Sequence, residues 1–573
     1  MRPRDGGSVL ETISTSPQRK RPFSNRWLLA HGDIRDCGGA AQTETAIGHE
    51  RSSRWDAPVC NGHMTSQAAV FAFLADAASH GMSEPIKRID THAAAVFLAG
   101  PNVYKVKKSV RFPFMDQSRL EMRRGACEAE VAVNRRFTPD LYFGVVPITR
   151  RGGALHLDGD GPVVEWAVHM KRFDETRTLD LVAERGEITP AMIVKVARLI
   201  VESHRRGAIG DGQLATDSLS GVVQETLTEL LDAPALFPAG EAASLASTMR
   251  QAFTDVRDLL LRRGASGCVR RCHGDLHLRN IALLDRGPVL FDAIEFDESI
   301  ATTDVLYDLA FALMDLWERR LLAEANLLLN RYLWGCDDMD GELAGLAALP
   351  LFLSLRASVL AKIAAIRFRE VDHAEATRGE ALRYFRIASE FLKPVSPMLV
   401  GIGGLSGSGK TTLAARMAPT IGRPPGAVHL RSDIERKRLS GVGEFEPLPA
   451  SAYTTDATGK VFASLRDSAS LALRAGHSAI VDAVHRTAEE RSLLAAVADR
   501  AGSRFVGLWL DAPLDVLINR VSSRKADASD ATASVVTDQA SHPPGPIDWT
   551  RLDATASAEA LATTGLDAAQ GIR

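Results

Sequence analysis

The segment that most restricts how this chain can fold is GIGGLSGSGKTTLAARM, at residues 401–417. It contains a glycine, four further residues and then Gly-Lys-Thr, which is the full phosphate-loop pattern. The apolar residues just before it predict a short strand, and the amphipathic residues after it predict a helix. Strand, glycine-rich turn and helix N-terminus form an anion site, because backbone N–H groups and the helix dipole face the phosphates. The segment therefore predicts a nucleoside triphosphate site.

The residue types in this loop have separate expected roles. The glycines allow the backbone to close tightly around a phosphate, and the Lys410 ammonium is expected to reach the β- and γ-phosphates. The Thr411 hydroxyl is expected to bind Mg²⁺. The candidate nucleotide-binding residues of the loop are Gly404, Gly407, Ser408, Gly409, Lys410, Thr411 and Thr412.

Chain length and composition restrict the remaining possibilities. At 573 residues the chain is too long for one hydrophobic core, so two or three domains are expected. The net charge of −3 gives no electrostatic footprint for nucleic acid. The six cysteines are scattered without a CxxC pair, which argues against a zinc site or a disulfide framework and is typical of a reducing cytoplasm. No uninterrupted apolar run is long enough to cross a membrane, so no span is predicted.

Changes in composition divide the chain. Residues 1–63 are rich in Arg, Ser, Gly, Thr and Pro without periodicity, so they are predicted to be disordered. Regular patterns begin at Met64, and either Met1 or Met64 could be the true start. An HGD sequence at residues 31–33 imitates a catalytic motif found later, but Gly38 stands where that motif has Asn. The expected divisions are a disordered extension at 1–63, a first domain at 64–393, a second domain at 394–555 and a tail at 556–573.

Residues 86–173 carry strand patterns interrupted by one helix. In the sequence VYKVKK, alternation places Lys105 and Lys107 on the same face of a strand. Either lysine could clamp the α- and β-phosphates of a nucleotide, and Lys105 is the first choice. A glutamate on the helix predicted at 120–137 is expected to hold that lysine, with Glu130 preferred. The segment is therefore predicted to be a β-rich lobe with a lysine–glutamate pair.

A set of polar residues lies in the mainly helical segment that follows. His273-Gly-Asp275, with Asn280 five residues later, sits between two predicted strands, and Asp292 lies at the end of the second. Phosphoryl transfer to a hydroxyl requires a carboxylate that accepts the hydroxyl proton, and oxygen ligands for Mg²⁺ on the triphosphate. Asp275 suits the first role, and Asn280 and Asp292 suit the second. Glu295 lies on the same hairpin, so either Asp292 or Glu295 could be the second metal ligand.

These motifs resemble the aminoglycoside-phosphotransferase, or kinase-like, family. The family's marks are an HGDxxxxN loop, an acidic metal-binding strand end and a later D-x-x-x-D-L-A, which begins here at Asp304. The three marks appear in the family's order, and the resemblance covers residues 86–393. It implies a two-lobed protein-kinase-like domain of α+β class that transfers phosphate from ATP. His204, on a predicted helix of this segment, is interpreted as a packing or capping residue rather than a catalyst.

The second half carries its own acidic and basic candidates. Two predicted strands deliver Asp433 and Asp482 to their C-terminal ends, where open parallel sheets place ligands. Asp482 is the expected metal-site carboxylate opposite Thr411. Arg520 and Arg524, on and just beyond the helix after the third strand, can stabilise charge that spreads onto a transferred phosphoryl group.

This half resembles small P-loop kinases of the gluconate-kinase and zeta-toxin type over residues 398–555. The resemblance implies an α/β P-loop NTPase domain with a parallel sheet, in which Asp433 meets the acceptor hydroxyl. Other interpretations stay open, since Asp433 could be an exposed helix cap and the two arginines could be surface charges. The residues that follow Arg524 look like a lid.

The motifs together predict a kinase-like phosphotransferase domain fused to a P-loop kinase domain. The expected activity is ATP-dependent phosphorylation of small-molecule hydroxyl groups, with one ATP·Mg²⁺ site in each domain. Nucleic acid and membranes are not expected as partners, the expected location is the cytoplasm, and the oligomeric state is left open. Two alternatives also stay open. One is a regulatory protein controlled by nucleotide, with a catalytically idle first half, and the other is a toxin-like kinase acting on a nucleotide sugar.

Overall fold

The computed structural model describes residues 64–91, 93–112, 115–369, 373–524 and 527–571. The disorder predicted for residues 1–63 and the HGD sequence at 31–33 lie outside the described residues. Within the described residues, a β-rich lobe, a helical lobe and a domain built on a parallel sheet follow one another along the chain. This arrangement confirms the predicted fold class, a two-lobed kinase-like domain followed by a P-loop domain.

The first lobe is built from short strands and two α-helices. Its elements are α1 Met64–Ala75, β1 Lys87–Asp90, β2 Ala94–Ala99, β3 Asn102–Lys107, β4 Arg111–Phe112, β5 Met115–Asp116, α2 Leu120–Asn134, β6 Tyr142–Arg151, β7 Ala154–Leu157 and β8 Val163–Lys171. Six of the strands form an antiparallel sheet in the order β1-β2-β3-β8-β6-β7. Alternation along β3 places Tyr104 and Val106 in the core with α1, and Lys105 and Lys107 opposite Glu130 of α2.

The second lobe is mainly helical and carries two short two-stranded sheets. Its elements are α3 Leu179–Glu184, α4 Pro190–Arg206, α5 Gly212–Leu231, α6 Ala239–Ala265, β9 Val269–Arg271, β10 Ile281–Leu284, β11 Gly287–Leu290, α7 Glu298–Ala301, β12 Thr302–Asp304, α8 Val305–Glu318, α9 Leu322–Gly335, α10 Met339–Gly345, α11 Leu349–Arg367 and α12 Glu375–Phe391. β10 and β11 form an antiparallel hairpin, and β9 pairs with β12. The residues that follow β11 reach the first lobe through an ion pair between Asp292 and Lys105.

Helices α10 and α11 form a notably apolar stretch. Met339–Arg367 is long and apolar enough to cross a membrane by composition, but 83% of its most apolar part is buried inside the protein. The sequence shows no uninterrupted apolar run here because Arg356 and Lys362 interrupt it, and both of these side chains are buried. The Tyr307 ring of α8 packs against Phe352, with centroids 5.3 Å apart. In this structure the two helices form part of the lobe's buried core.

The remaining domain is organised around a five-stranded parallel sheet. Its elements are β13 Met398–Gly403, α13 Lys410–Met417, β14 Val428–Arg431, α14 Ser432–Leu439, α15 Thr455–Arg474, β15 Ala479–Asp482, α16 Ala488–Arg500, β16 Arg504–Asp511, α17 Leu514–Ser523, α18 Ala533–Ser541, β17 Thr550–Asp553 and α19 Ala558–Gln570. The strand order is β14-β15-β13-β16-β17, and each neighbouring pair is parallel. The phosphate loop follows β13 in the middle of the sheet, where ligands bind at the C-terminal strand ends.

Helix α19 lies within the segment that is expected from the sequence to be a tail, residues 556–573. Leu561 and Ala569 of this helix share a buried cluster with Leu413 and Met417 of α13. The two helices approach closely, since a Cβ at Gly565 would lie 2.8 Å from the Met417 sulfur. The C-terminal helix is therefore packed on the helix that begins at the phosphate loop.

Candidate functional site

The loop of His273, Gly274 and Asp275 is fixed by a carboxylate from helix α8. Asp308 Oδ1 accepts a hydrogen bond from the Gly274 N–H at 2.8 Å, and its Oδ2 accepts one from the His273 N–H at 3.4 Å. Gly274 has φ +86°, and a Cβ there would lie 2.9 Å from the Ala301 Cβ, so glycine is the residue that fits. The HGD sequence therefore specifies a backbone turn as well as side chains.

His204 supports this loop from behind. Its Nε2 lies 3.1 Å from Asp308 Oδ2, and its Nδ1 lies 3.0 Å from the Tyr332 hydroxyl. Burial by itself raises the pKa of Asp308, but the hydrogen bond and charge of His204 lower it overall. His204 is thus a buried supporting residue, as its helical position suggested.

The Asp275 carboxylate is buried and held from two sides. Its Oδ2 accepts a hydrogen bond from Asn280 Nδ2 at 3.0 Å and lies 3.2 Å from His277 Nε2. Burial by itself lowers the pKa of His277, but the Asp275 carboxylate raises it above its ordinary value. A carboxylate that must meet a substrate hydroxyl requires this kind of fixed orientation.

Two lysines and three acids form a charged cluster between the lobes. Glu130, fully buried on α2, lies 2.9 Å from Lys105 Nζ and 2.6 Å from Lys107 Nζ. Lys105 also contacts Asp292 at 2.9 Å, and Lys107 contacts Glu295 at 2.5 Å. Burial by itself lowers the pKa of each lysine, but the carboxylates raise it well above the ordinary value. The structure brings the predicted Lys105–Glu130 pair together and gives Glu130 a second partner, Lys107.

Asp292 and Glu295, the two acids considered as metal ligands, differ in how far their side chains are exposed. The Asp292 side chain is 30% exposed, whereas that of Glu295 is 8% exposed. Asp292 has φ +58°, a conformation that non-glycine residues rarely adopt, and its N–H donates to the Tyr142 hydroxyl at 3.2 Å. The backbone therefore gives Asp292 the more open position of the two.

A cleft with a volume of about 630 Å³, called the first cleft below, lies beside this charged cluster and is lined by several oxygen donors. Asn280, Asp292 and Glu295 all line it, together with the two lysines of β3. The Asn280 side-chain nitrogen is engaged with the backbone and side-chain oxygens of Asp275, so the amide oxygen is the atom that can bind a cation. Carboxylate and amide oxygens fit Mg²⁺, which prefers hard oxygen ligands.

In the second domain, the phosphate loop wraps the N-terminus of α13. Gly409 has φ +90° and immediately precedes the helix. At Gly407 a Cβ would lie 2.6 Å from the Leu517 carbonyl oxygen, so the loop packs too closely there for a side chain. Lys410 Nζ donates to the Leu405 carbonyl oxygen at 3.0 Å, and burial lowers the pKa of this lysine. The predicted loop geometry and its lysine are thus present together.

The Thr411 hydroxyl and the Asp482 carboxylate meet at the C-terminal edge of the sheet. Thr411 Oγ1 donates to Asp482 Oδ2 at 2.6 Å. Burial by itself raises the pKa of Asp482, but His429 and Lys410 lower it well below its ordinary value. An ionised carboxylate and a hydroxyl therefore stand side by side, and this donor set fits Mg²⁺.

Asp433 lies in the first turn of α14 and lines the same cleft, which has a volume of about 310 Å³. The N-cap position of that helix is Arg431, so Asp433 is not the N-cap residue. Burial and the neighbouring Asp482 carboxylate raise the pKa of Asp433. A carboxylate with a raised pKa beside a phosphate loop is suited to accept a proton.

Arg520 and Arg524 also line the second cleft. Arg520 Nη2 donates to the Ala554 carbonyl oxygen at 2.9 Å, and Arg524 Nε lies 3.8 Å from Asp527 Oδ2. Gly404 lies behind the cleft lining, and its N–H donates to the Val484 carbonyl oxygen at 3.2 Å. The predicted residues that line this cleft together are Gly407, Ser408, Gly409, Lys410, Thr411, Thr412, Asp433, Asp482, Arg520 and Arg524.

Sequence reasoning missed several residues in and beside the second cleft. Arg431 pairs at 3.3 Å with Asp527, which lines the cleft, and its position at the end of a strand was the available signal. His429 lies 3.4 Å from Asp482, another lining residue. Ala556 and Leu561 line the cleft themselves, but an Ala- and Thr-rich segment carries no motif that would indicate it.

Two parts of the chain match known protein families. Residues 120–349 match the family described as phosphotransferase enzyme family, and residues 399–544 match a family described as an AAA domain. The first match includes the HGD loop, Asp292 and Asp308. The second includes the phosphate loop, Asp433, Asp482 and both arginines of the cleft. The two predicted halves therefore each match a family of their own.

Individual proteins are similar to this chain over different lengths. A Mycobacterium tuberculosis protein described as uncharacterized is 28% identical over 454 residues, covering 78% of this chain and 88% of that protein. The crystal structure of a choline/ethanolamine kinase family protein from Mesorhizobium loti is 13% identical, with a TM-score of 0.37. The similarity covers 58% of this chain and 95% of the chain in that structure. The solved structure of the Mycobacterium tuberculosis APS kinase is 22% identical, with a TM-score of 0.24. The similarity covers 31% of this chain and 99% of the APS kinase chain. Because 454 residues exceed either half, the first of these alignments spans parts of both.

Proposed function

We propose that this chain, which joins a domain of the phosphotransferase enzyme family to a P-loop domain of the AAA type, transfers phosphate from ATP to hydroxyl groups of small molecules. The observation that carries the proposal is a repeated arrangement. In each half a cleft is lined by a lysine and a pair of oxygen donors. A further carboxylate stands at each of them, since Asp433 lines the second cleft and Asp275 is hydrogen-bonded to Asn280, which lines the first. We propose one ATP·Mg²⁺ site in each cleft, a first domain at 64–393, and a second domain that begins at 394 and includes α19.

In the first cleft, Lys105 is the proposed phosphate-binding lysine, since its side chain is 17% exposed against 4% for Lys107. Asn280 and Asp292 would hold Mg²⁺, which when bound neutralises phosphate charge. Asp275 would accept the proton of the acceptor hydroxyl. The hydroxyl oxygen then forms a bond to the γ-phosphorus as the bond to the ADP oxygen breaks. The acceptor leaves as a phosphate ester and the proton leaves from Asp275.

In the second cleft, the phosphate loop and Lys410 would hold the triphosphate, and Thr411 and Asp482 would hold the metal. Asp433 would orient the acceptor hydroxyl and take its proton, consistent with its raised pKa. Arg520 and Arg524 would stabilise the charge that develops on the transferred group.

The four described cysteines are free thiols, which supports the proposed cytoplasmic location.

The test uses full-length protein, radiolabelled ATP and a panel of small alcohols, sugars and amino alcohols. Asp275→Asn should lower turnover of acceptors used by the first cleft by about 10²–10⁴-fold, with ATP binding retained, because it removes the proton acceptor. Lys410→Ala should remove labelling of acceptors used by the second cleft. Asp285→Asn, which changes an exposed carboxylate on the β10–β11 hairpin, is the matched control.

The outcomes separate the proposal from its alternatives. Turnover by Asp275→Asn equal to the parent's would show that the first half is wrongly assigned. If ATP binds to that half and the panel contains no acceptor for it, a regulatory protein with an idle first domain is favoured.

A further inference from the structure

We infer that helix α9 of the helical lobe positions the metal carboxylate of the P-loop cleft, acting through the edge strand β14 and His429. The inference rests on the proposed role of Asp482 as a metal-site carboxylate. It assigns a function to the contact between the two family-matched parts of the chain. His429 is thereby a positioning residue.

Strand β14 lies at the edge of the parallel sheet and pairs with β15 on one side. On its other side, side chains of α9 bond to the backbone of this strand and of Ala427, the residue just before it, as a neighbouring strand would. Asn326 Nδ2 and Asn330 Nδ2 donate to the Ala427 carbonyl oxygen at 3.0 and 3.2 Å. Asn330 Oδ1 accepts from the His429 N–H at 2.7 Å, and Trp334 Nε1 donates to the His429 carbonyl oxygen at 3.1 Å. The three side chains are four residues apart, so one face of α9 covers the strand edge.

These contacts are specific because the groups involved are buried. Asn326, Asn330 and His429 are all buried side chains. Backbone and amide groups that lose a partner in such a place are costly, since water cannot replace the lost bond. The helix and the strand are therefore held in one register with respect to each other.

His429 connects the edge strand to the metal carboxylate. Its Nε2 lies 3.4 Å from Asp482 Oδ2, the same oxygen that accepts the Thr411 hydroxyl hydrogen bond. Its ring meets the Trp334 indole edge to face, with centroids 6.0 Å apart. The backbone of His429 is held by Asn330 and its ring by Trp334, so α9 fixes the imidazole. A metal ligand that has such a second partner keeps its orientation when the metal is absent.

The test measures how the full chain binds a fluorescent, non-hydrolysable ATP analogue as Mg²⁺ is varied. Each variant is prepared with and without Lys410→Ala, so that the difference reports the P-loop cleft. His429→Phe keeps a ring but removes the nitrogen that faces Asp482. It should raise the Mg²⁺ concentration for half-maximal binding by about 10–100-fold, the usual effect of losing an outer partner of a metal ligand. His429→Gln, whose amide can donate in the same direction, should restore most of this loss, and analogue binding in EDTA should stay unchanged.

A second variant tests α9 itself. Trp334→Phe keeps an aromatic ring but removes the donor to the His429 carbonyl, and should raise the Mg²⁺ requirement in the same direction by a smaller factor. It should also speed hydrogen exchange of the backbone amides at 427–431 in ligand-free protein, a measurement that needs no metal. Glu444→Gln is the matched control, because Glu444 pairs across the same contact with Arg331 and Arg198 rather than with β14.

The outcomes separate this inference from the proposed function. If parent binding at the Lys410-dependent site does not depend on Mg²⁺, the proposed metal role fails and the inference fails with it. If the parent depends on Mg²⁺ while His429→Phe and Trp334→Phe match it, the proposed function stands and the inference is overturned. If His429→Phe does not fold, the Mg²⁺ titration and the hydrogen-exchange measurement of Trp334→Phe decide whether the inference holds.

Discussion

The two lysines of β3, Lys105 and Lys107, should respond differently to replacement by methionine. Lys107 lies between Glu130 and Glu295, at 2.6 and 2.5 Å, and is nearly inaccessible. Lys105 lies between Glu130 and Asp292 and has the more exposed side chain of the two, at 17% against 4%. We predict that Lys107→Met mainly lowers the stability of the protein and that Lys105→Met mainly lowers its affinity for ATP.

The size of the stability effect follows from the charges in the cluster. Two ammonium groups and three carboxylates give a net charge of −1, and removing Lys107 changes it to −2 and leaves Glu295 without this ion pair. Removing one partner of a buried pair costs about 3–5 kcal/mol of unfolding free energy. At about 2–4 °C per kcal/mol for a large domain, the melting temperature should fall by about 6–20 °C. Lys105→Met should cost less, because Asp292 is partly exposed to water.

Both variants are measured as full-length protein, by thermal unfolding and by calorimetric titration with ATP·Mg²⁺. The Lys410→Ala background restricts the titration to the first cleft. Lys108→Met is the matched control, since Lys108 forms a more exposed pair with Asp90 and such pairs contribute about 0–1 kcal/mol. A Lys107→Met protein that melts like the parent but has lost ATP binding would reverse the roles of the two lysines. Normal ATP binding by both variants would remove this cleft as a nucleotide site.

Three further substitutions, two of carboxylates and one of a hydroxyl, give additional tests. Asp433→Asn should raise the melting temperature of ligand-free protein at neutral pH, because the raised pKa of Asp433 shows that folding disfavours its charged form. The rise in melting temperature should become smaller as the pH falls through the pKa of Asp433, because the parent carboxyl is then neutral as well. An unchanged or lower melting temperature of Asp433→Asn at neutral pH would contradict the prediction. Asp308→Asn should lower both stability and first-cleft turnover, since the lowered pKa of Asp308 means that its ionised form stabilises the fold above its unfolded pKa. The stability difference should shrink on acidification, and a pH-independent difference would argue against the reasoning. Thr411→Ala should raise the Mg²⁺ requirement of the P-loop cleft more than it lowers nucleotide affinity without metal, and equal effects in calorimetry would argue against a metal role for this hydroxyl.

Short motifs predicted the backbone of both candidate sites because their residues act on their immediate neighbours. Gly274 and Gly407 stand where a side chain would collide with another part of the chain, and each belongs to a recognisable pattern. The Thr411–Asp482 contact was also predictable, since a strand that ends in an acid beside the phosphate-loop strand brings these groups to one sheet edge.

Other features depend on contacts that sequence spacing does not encode. Lys105 and Lys107 share one face of β3, so alternation alone could not distinguish them, and their difference comes from where Asp292 and Glu295 lie. The packing of α19 on α13 depends on Met417, which is distant in sequence from Gly565. Residues that join the two halves, such as Asn326 and Asn330, look like ordinary polar residues of an amphipathic helix until the strand beside them is known.

Helix α9 contacts residues that support both candidate sites, and this has a consequence for studies of separated halves. On one side its Tyr332 hydroxyl lies 3.0 Å from His204 Nδ1, and His204 contacts the Asp308 carboxylate that fixes the HGD loop. Two residues later, Trp334 bonds to the backbone of His429 in the P-loop domain. The same helix therefore supports elements of both candidate sites.

A fragment of residues 394–573 would lack the α9 side chains that cover the edge of β14. It would also lose Leu333 of α9 from the buried apolar cluster to which Val428 and Leu430 belong. We therefore expect the fragment to melt at a lower temperature than the P-loop part of the full chain and to need more Mg²⁺ for ATP binding. Added fragment 64–393 should reverse both effects, because it restores the covering helix. Thermal unfolding and Mg²⁺ titration of the fragment alone, with its partner and as full chain make the comparison. A lone fragment that equals the full chain in both measurements would show that α9 contributes only packing to the P-loop domain.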